Sequence, residues 1–324
     1  MKKHPRLPTI AAVFASTLLV SFLLFYDFGK SNSRIIQTIL SYGHVPLFGF
    51  IALGILWLES NGNYRTCGRK LYLHAALITV LLGTLTEIIQ IWTPSRTFRL
   101  GDILSDAVGG AVFLSFVYSY RQGIGRSGKI ALRALALSGL VLMAHSVITA
   151  TLDTIQMAYD APLLGSFENG LEMSRWSEHE STIKRTRLHA THGDYALEVN
   201  LAPGVFPGVS LVHLLPDWRN YSLLSFDAFL TGTSPLALTV RINDDRHNED
   251  YDDRYNRAFI LTPNKNHITI DLEEVKTSPR GREMDMAHMR LICLFAHNLK
   301  EPRQIYLDHF MLENRARSQR QNSR

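Results

Sequence analysis

Two kinds of hydrophobic pattern divide this chain. Up to residue 152 the apolar positions come in long runs, at about 8–26, 36–58, 71–92, 103–120 and 130–152, each near the roughly 20 residues that cross a bilayer as a helix. Further on, the runs are short and alternate apolar with polar: YALEVNL, GVSLVHLL, LLSFDAFL, LALTVRI, RAFILT, HITIDL, RLICLF and QIYLDHFML. Turn-forming segments such as HGD, PDWRN, TGTSP and TPNKN separate them. A period of two broken by such turns predicts an all-β sandwich. The chain therefore reads as multi-domain: a polytopic α-helical membrane bundle of about five transmembrane helices over 1–152, a linker at 153–163, and a sandwich at 164–313. The closing 314–324, with four Arg and Ala316 as its one apolar residue, reads as a disordered basic tail.

Charge sharpens this division. The net charge of +5 is unevenly placed, with 14 Lys+Arg against 5 Asp+Glu up to Leu152 and 20 against 24 beyond it. Basic residues beside apolar spans set membrane orientation, so the basic balance does not point to nucleic acid. The first run is read as an uncleaved anchor, because FYDF at its end offers no small-residue cleavage site. The amino terminus and alternate loops at 59–70 and 121–133 hold ten Lys/Arg, against four in the other two loops. That asymmetry places the amino terminus in the cytoplasm. An odd number of spans then puts the second half outside. Cys67 and Cys293 fall on opposite sides in this topology and are not expected to pair.

Two stretches are dense in chemistry. TEIIQIWTPSRTFRLGDILSDAVGGAVF sets Glu87 and Gln90 three apart on one helix face, follows them with Arg96 and Arg99, and sets Asp102 and Asp106 four apart on the next helix. The cluster reads either as a salt-bridged hairpin or as a polar pocket for an anionic or polyol head group. Gly109 and Gly110 suit close helix packing. VRINDDRHNEDYDDRYNRAFIL gathers Asn243, Asp244, His247, Tyr251, Asp253, Arg254 and Asn256 between two strands. Amides, carboxylates and guanidinium can hydrogen-bond sugar hydroxyls while tyrosine rings stack on sugar faces; a solvated loop has the same composition. The stretch lacks the central Gly and closing Glu of an EF-hand.

HVPLFGFIALG followed by the Glu87 to Asp106 pattern resembles the VanZ-like membrane family, named for a determinant of glycopeptide resistance. That resemblance covers roughly the first 120 residues and rests on His44, Glu87, Gln90, Arg96, Asp102, Asp106 and Gly109. Tyr42-Gly43 stand where the family has an acidic or Lys residue before its His. It implies a multi-pass protein of the bacterial cytoplasmic membrane and supplies no reaction. GSFENG, THGDYALEV, DWRNYSLLSFDAFL and YLDHFML, in that order, resemble a galactose-binding-like jelly roll of the carbohydrate-binding-module type. The second resemblance implies a structural calcium held by Glu168 and Asp308. No nucleophile, metal spacing or cofactor loop is recognisable, so a polysaccharide-binding or glycolipid-binding envelope protein ranks first. A membrane-boundary enzyme acting on a lipid-linked glycan ranks second, and a protein-interaction module third.

Overall fold

The computed structural model describes residues 38, 43–91 and 100–314. The expected span at 8–26, Arg96, Arg99 and the basic tail from residue 315 lie outside the described residues. The chain divides into two units, at Ala150 and Thr151.

The helices α1 (His44–Glu59), α2 (Arg69–Gln90), α3 (Leu100–Tyr118) and α4 (Arg126–Asp160) follow in order, and the last turns of α4, from Thr151, belong to the second unit. Among the described residues, α2, α3 and α4 are long and apolar enough to cross a membrane, and α1 is a shorter apolar helix. Polarity in α2 is inverted relative to a soluble helix. Tyr72, Ala75, Thr79, Gly83, Glu87 and Gln90 recur at helical spacing and are buried, whereas Leu73, Leu77, Leu81, Leu85 and Ile88 are exposed. Ionisable groups inside and leucine outside suit a hydrocarbon solvent. Small residues let the helices close on one another: a Cβ on Gly83 would stand 2.7 Å from an Asp106 oxygen, and Gly109 faces the backbone of Val45.

The expected linker at 153–163 is helical as far as Asp160, because α4 continues through residues free of Gly and Pro until Pro162. Proline disfavours helix at the residue before it, and the helix stops there.

The second unit is a sandwich of two antiparallel sheets. Its strands are β1 (Leu163–Gly165), β2 (Trp176–His179), β3 (Ser181–Thr186), β4 (Ala196–Leu201), β5 (Gly208–Leu211), β6 (Leu223–Leu230), β7 (Leu236–Asp244), β8 (Tyr255–Leu261), β9 (Asn264–Asp271), β10 (Met289–Phe295) and β11 (Arg303–Glu313). One sheet runs β3-β4-β11-β6-β9, with β1 beside β11; the other runs β2-β5-β10-β7-β8. An α-helix of five residues, α5 (Leu272–Lys276), follows β9. Alternate residues of both sheets fill one core, including Leu197, Val199, Phe226, Val240, Ile292 and Leu307. Phe226 stacks on Phe310 at 4.8 Å, Trp176 meets Phe310 at 5.1 Å, and Phe167 meets Trp176 at 5.6 Å. Each such ring contributes roughly 1.5–3 kcal/mol on burial, so an aromatic column binds the two sheets.

GSFENGLE builds the turn that enters this column. Asn169 caps a short 3-10 helix by accepting from Leu171 N–H at 3.0 Å, while the buried Glu172 accepts from Ser166 and Phe167 N–H at 2.8 and 2.9 Å. Nearby, Arg175 Nε donates to Asp153 Oδ1 at 2.9 Å and Nη1 to the Leu164 carbonyl at 3.3 Å. Both charges are enclosed, Arg175 being 1% exposed.

Candidate functional site

Register decides which residues the five-stranded sheet turns away from the core. Trp176, Leu211, Ile292, Ile242 and Tyr255 are opposite one another across the five strands and face the core. One step along each strand, alternation turns the neighbouring row outward. That row is Ser177, Ser210, Cys293, Arg241 and Asn256. At about 4.8 Å per strand it makes a polar track of about 19 Å, the length of a short oligosaccharide. The flanking row contributes His179, Gly208, Phe295 and Thr239. His179 Nε2 lies 3.6 Å from Cys293 Sγ; burial lowers the imidazole pKa and raises that of the thiol. Phe206, half exposed, meets Phe295 edge-on at 5.7 Å and His297 at 5.2 Å. An aromatic margin therefore borders the track.

Asn256 is the informative member. Its Oδ1 and Nδ2 are both screened from solvent and have no hydrogen-bond partner among the described residues, and the same holds for Nε of Arg254. Enclosed polar atoms ordinarily find partners, and leaving one unmade costs about 1–3 kcal/mol. A ligand would have to displace the groups that screen these atoms before it could bond to them.

The other candidates in this stretch have different duties. Asp244 and Asp253 hold Arg282: Nη1 and Nη2 donate to Asp244 at 2.6 and 2.9 Å, Nε and Nη2 to Asp253 at 2.5 and 3.0 Å. Asp253 also accepts from Asn248 N–H at 3.0 Å, and Asp244 from Asp285 N–H at 2.7 Å. Their oxygens are committed to fastening the loop rather than offered to a sugar. His247 is enclosed, donating from Nδ1 to the Asp253 carbonyl at 2.9 Å and accepting at Nε2 from Arg241 at 3.0 Å. Asn243 Oδ1 accepts from Arg241 Nε at 3.2 Å. Asn243 and His247 thus position Arg241. Tyr251, 68% exposed, lies under the Arg254 guanidinium at 5.0 Å. Ser177, Ser210 and Arg282 escape a reading of this stretch alone, since they come from other strands or a later turn, whereas Arg241 lies inside it and nothing in its spacing marks it out.

Glu168 and Asp308 each meet backbone N–H groups. Glu168 Oε1 accepts from the N–H groups of Asp194 and Tyr195 at 2.9 and 2.8 Å. Asp308 Oδ2 accepts from Thr191 and His192 N–H at 2.7 and 2.9 Å, and Oδ1 from His309 N–H at 2.7 Å. Calcium needs oxygen ligands; here the positive ends of N–H dipoles meet the carboxylates. Among the described residues no group of three or more His, Cys, Asp or Glu gathers. Instead the two acids pin a loop over the outer face of the six-stranded sheet, where His189 stacks on Phe229 at 3.6 Å. Gly193 is needed in that loop, with φ of +67° and a Cβ that would stand 2.5 Å from the Glu168 carboxyl carbon. Burial raises the Asp308 pKa against the pull of its donors. Calcium and a chelator are both expected to leave the melting temperature unchanged; a fall on chelation would return the ion to these residues.

In the membrane-type unit, His44 Nδ1 lies 3.0 Å from Asp106 Oδ1. Glu87, Gln90 and Asp106 are buried, and Glu87 and Asp102 lie near enough to act on the imidazole's charge. Asp106, Asp102 and Glu87 thus lie near His44, Gln90 is buried further along α2, and Arg96 lies outside the described residues.

No family model matches the chain, and no curated protein matches it. Solved structures similar to its second half are an exo-beta-agarase, at 13% identity and a TM-score of 0.40 over 47% of this chain and 24% of that one, and a family 11 carbohydrate-binding module from Clostridium thermocellum in complex with a beta-1,3-1,4-mixed-linked tetrasaccharide, at 16% identity and a TM-score of 0.38 over 47% and 94%. A third is the CBM22-1 xylan-binding domain of Paenibacillus barcinonensis Xyn10C, at 17% identity and a TM-score of 0.32 over 46% and 90%. The chain thus spans about a quarter of the agarase's length. Identities and TM-scores this low say nothing of ligand or activity.

Proposed function

We propose that the second half is a glycan-binding module carried outside the cytoplasm by a multi-pass, VanZ-like membrane bundle. The observation that carries the binding reading is the unpartnered amide of Asn256, set in a five-strand row of hydroxyl, thiol and guanidinium groups beside an aromatic margin. An amide offers donor and acceptor together, which is what adjacent sugar hydroxyls require. The membrane reading draws on the inverted polarity of α2 and the Lys/Arg asymmetry of the loops.

Asn256→Ala is expected to weaken retention on immobilised polysaccharide about tenfold, the effect of losing one or two net hydrogen bonds, with no fall in melting temperature. Affinity electrophoresis of the detergent-solubilised chain across neutral and acidic glycans measures it. A folded protein that ignores every glycan would shift the reading to a protein partner or to chemistry at the His44–Asp106 cluster. Orientation is checked separately by a reporter fused after Leu312, expected to be active only in the form that works outside the cytoplasm; activity in the cytoplasmic form would reverse the topology.

A further inference from the structure

Resting on that glycan reading, we propose that the ligand is an acidic sugar, whose anionic group is taken by Arg241 and Arg254. The outward positions of the five strands hold hydroxyl, thiol, amide, imidazole, guanidinium and apolar groups, and no carboxylate. Arg241 spends its near contacts on Asn243 and His247, which are neutral acceptors. Its nearest carboxylate is Glu249 at 3.8 Å, on a side chain 87% exposed. Arg254 has no carboxylate within 4.0 Å among the described residues; its contact is the Tyr251 ring, and its Nε is enclosed without a partner.

The two guanidiniums act on each other. After burial, the charge of Arg254 is the largest influence lowering the Arg241 pKa, and both arginines bear on the Cys293 thiol. Like charges on one face repel, and an anion bridging them relieves the repulsion. A guanidinium fork matches a carboxylate or sulfate geometrically as well as in charge. General attraction does not account for the preference, because the second half carries 20 Lys+Arg against 24 Asp+Glu. The excess of guanidinium over carboxylate is local to the outward row of the sheet.

Calorimetry on the full chain in lipid nanodiscs tests the assignment with three probes: an oligogalacturonate, a sulfated dextran oligomer and a neutral mixed-linkage β-glucan. Saturable binding of an acidic probe is expected, weakening as ionic strength rises. Preference for the uronate or the sulfate identifies which anionic group is recognised. Arg254→Gln is expected to lose about tenfold in affinity for that probe. Ala258→Glu, at an exposed outward position of β8, is the second variant should the first not fold; it is expected to weaken the acidic probe and spare the neutral one. Binding of the neutral glucan alone would overturn the acidic assignment and leave the glycan module standing. Acidic probes bound equally by wild type and both variants would overturn it as unspecific polyanion attraction. No binding of any probe would overturn the glycan reading and the acidic assignment together.

Discussion

Arg175→Ala is expected to destabilise the β-sandwich by roughly 3–5 kcal/mol, the cost of leaving one member of an enclosed ion pair without its partner. Asp153 and Arg175 are both about 1% exposed, and the guanidinium has three contacts: Asp153 Oδ1 at 2.9 Å, the Leu164 carbonyl at 3.3 Å and the Asp153 carbonyl at 3.5 Å. The contacts tie the last turns of α4 to β1 and β2 within the second unit. Asp153→Ala should act in the same direction. Replacing both by apolar residues of similar volume should recover most of the loss, because two desolvation penalties disappear together. Urea unfolding of the solubilised chain, followed by near-ultraviolet circular dichroism, measures the effect; a loss below about 1 kcal/mol would show that the pair is hydrated in solution.

Arg282→Gln is the second large effect, expected at about 2–4 kcal/mol together with loss of glycan retention. It strips the counter-charge from Asp244, whose side chain is 0% exposed, and from Asp253. The loop between β7 and β8, which positions His247 and Arg254, loses its fastening. A pH signature accompanies this. Arg282 holds the Asp253 carboxyl below its ordinary value of 3.8, so the stabilisation is present above that value and is lost as pH falls through the depressed one. In Arg282→Gln the carboxyl should titrate nearer its ordinary value, so the acid limb of a stability profile should begin at higher pH. An acid limb unchanged from wild type would mean that the fork contributes no stability.

Much of the architecture was legible in periodicity. LALTVRI alternates as β7 does, and the runs around 71–92 and 103–120 mark α2 and α3 within a few residues. The end of α4 was not legible, because hydropathy falls off at 152 while nothing in TLDTIQMAYD stops a helix before Pro162. In the candidate site, Asn256, Arg254 and Tyr251 were found from composition. Asp244 and Asp253 came with them, yet the structure spends both on Arg282, which follows Asp253 by 29 residues. A carboxylate that binds a ligand and one that fastens a loop look alike in a sequence.

By itself, the sequence determined where the two units divide, which segments are helical or extended, and which stretches are dense in polar chemistry. Those properties follow from local spacing, because side-chain direction repeats every 3.6 residues in a helix and every two in a strand. Only the tertiary structure decided that Ser177, Ser210, Cys293, Arg241 and Asn256 form one row, that His44 meets Asp106, and that Glu168 and Asp308 take N–H donors. The reason is that periodicity specifies a face without naming the neighbour across it. Strand order and register arise when the whole core packs, and they alone place arginines on the outer face of the five-stranded sheet and carboxylates elsewhere.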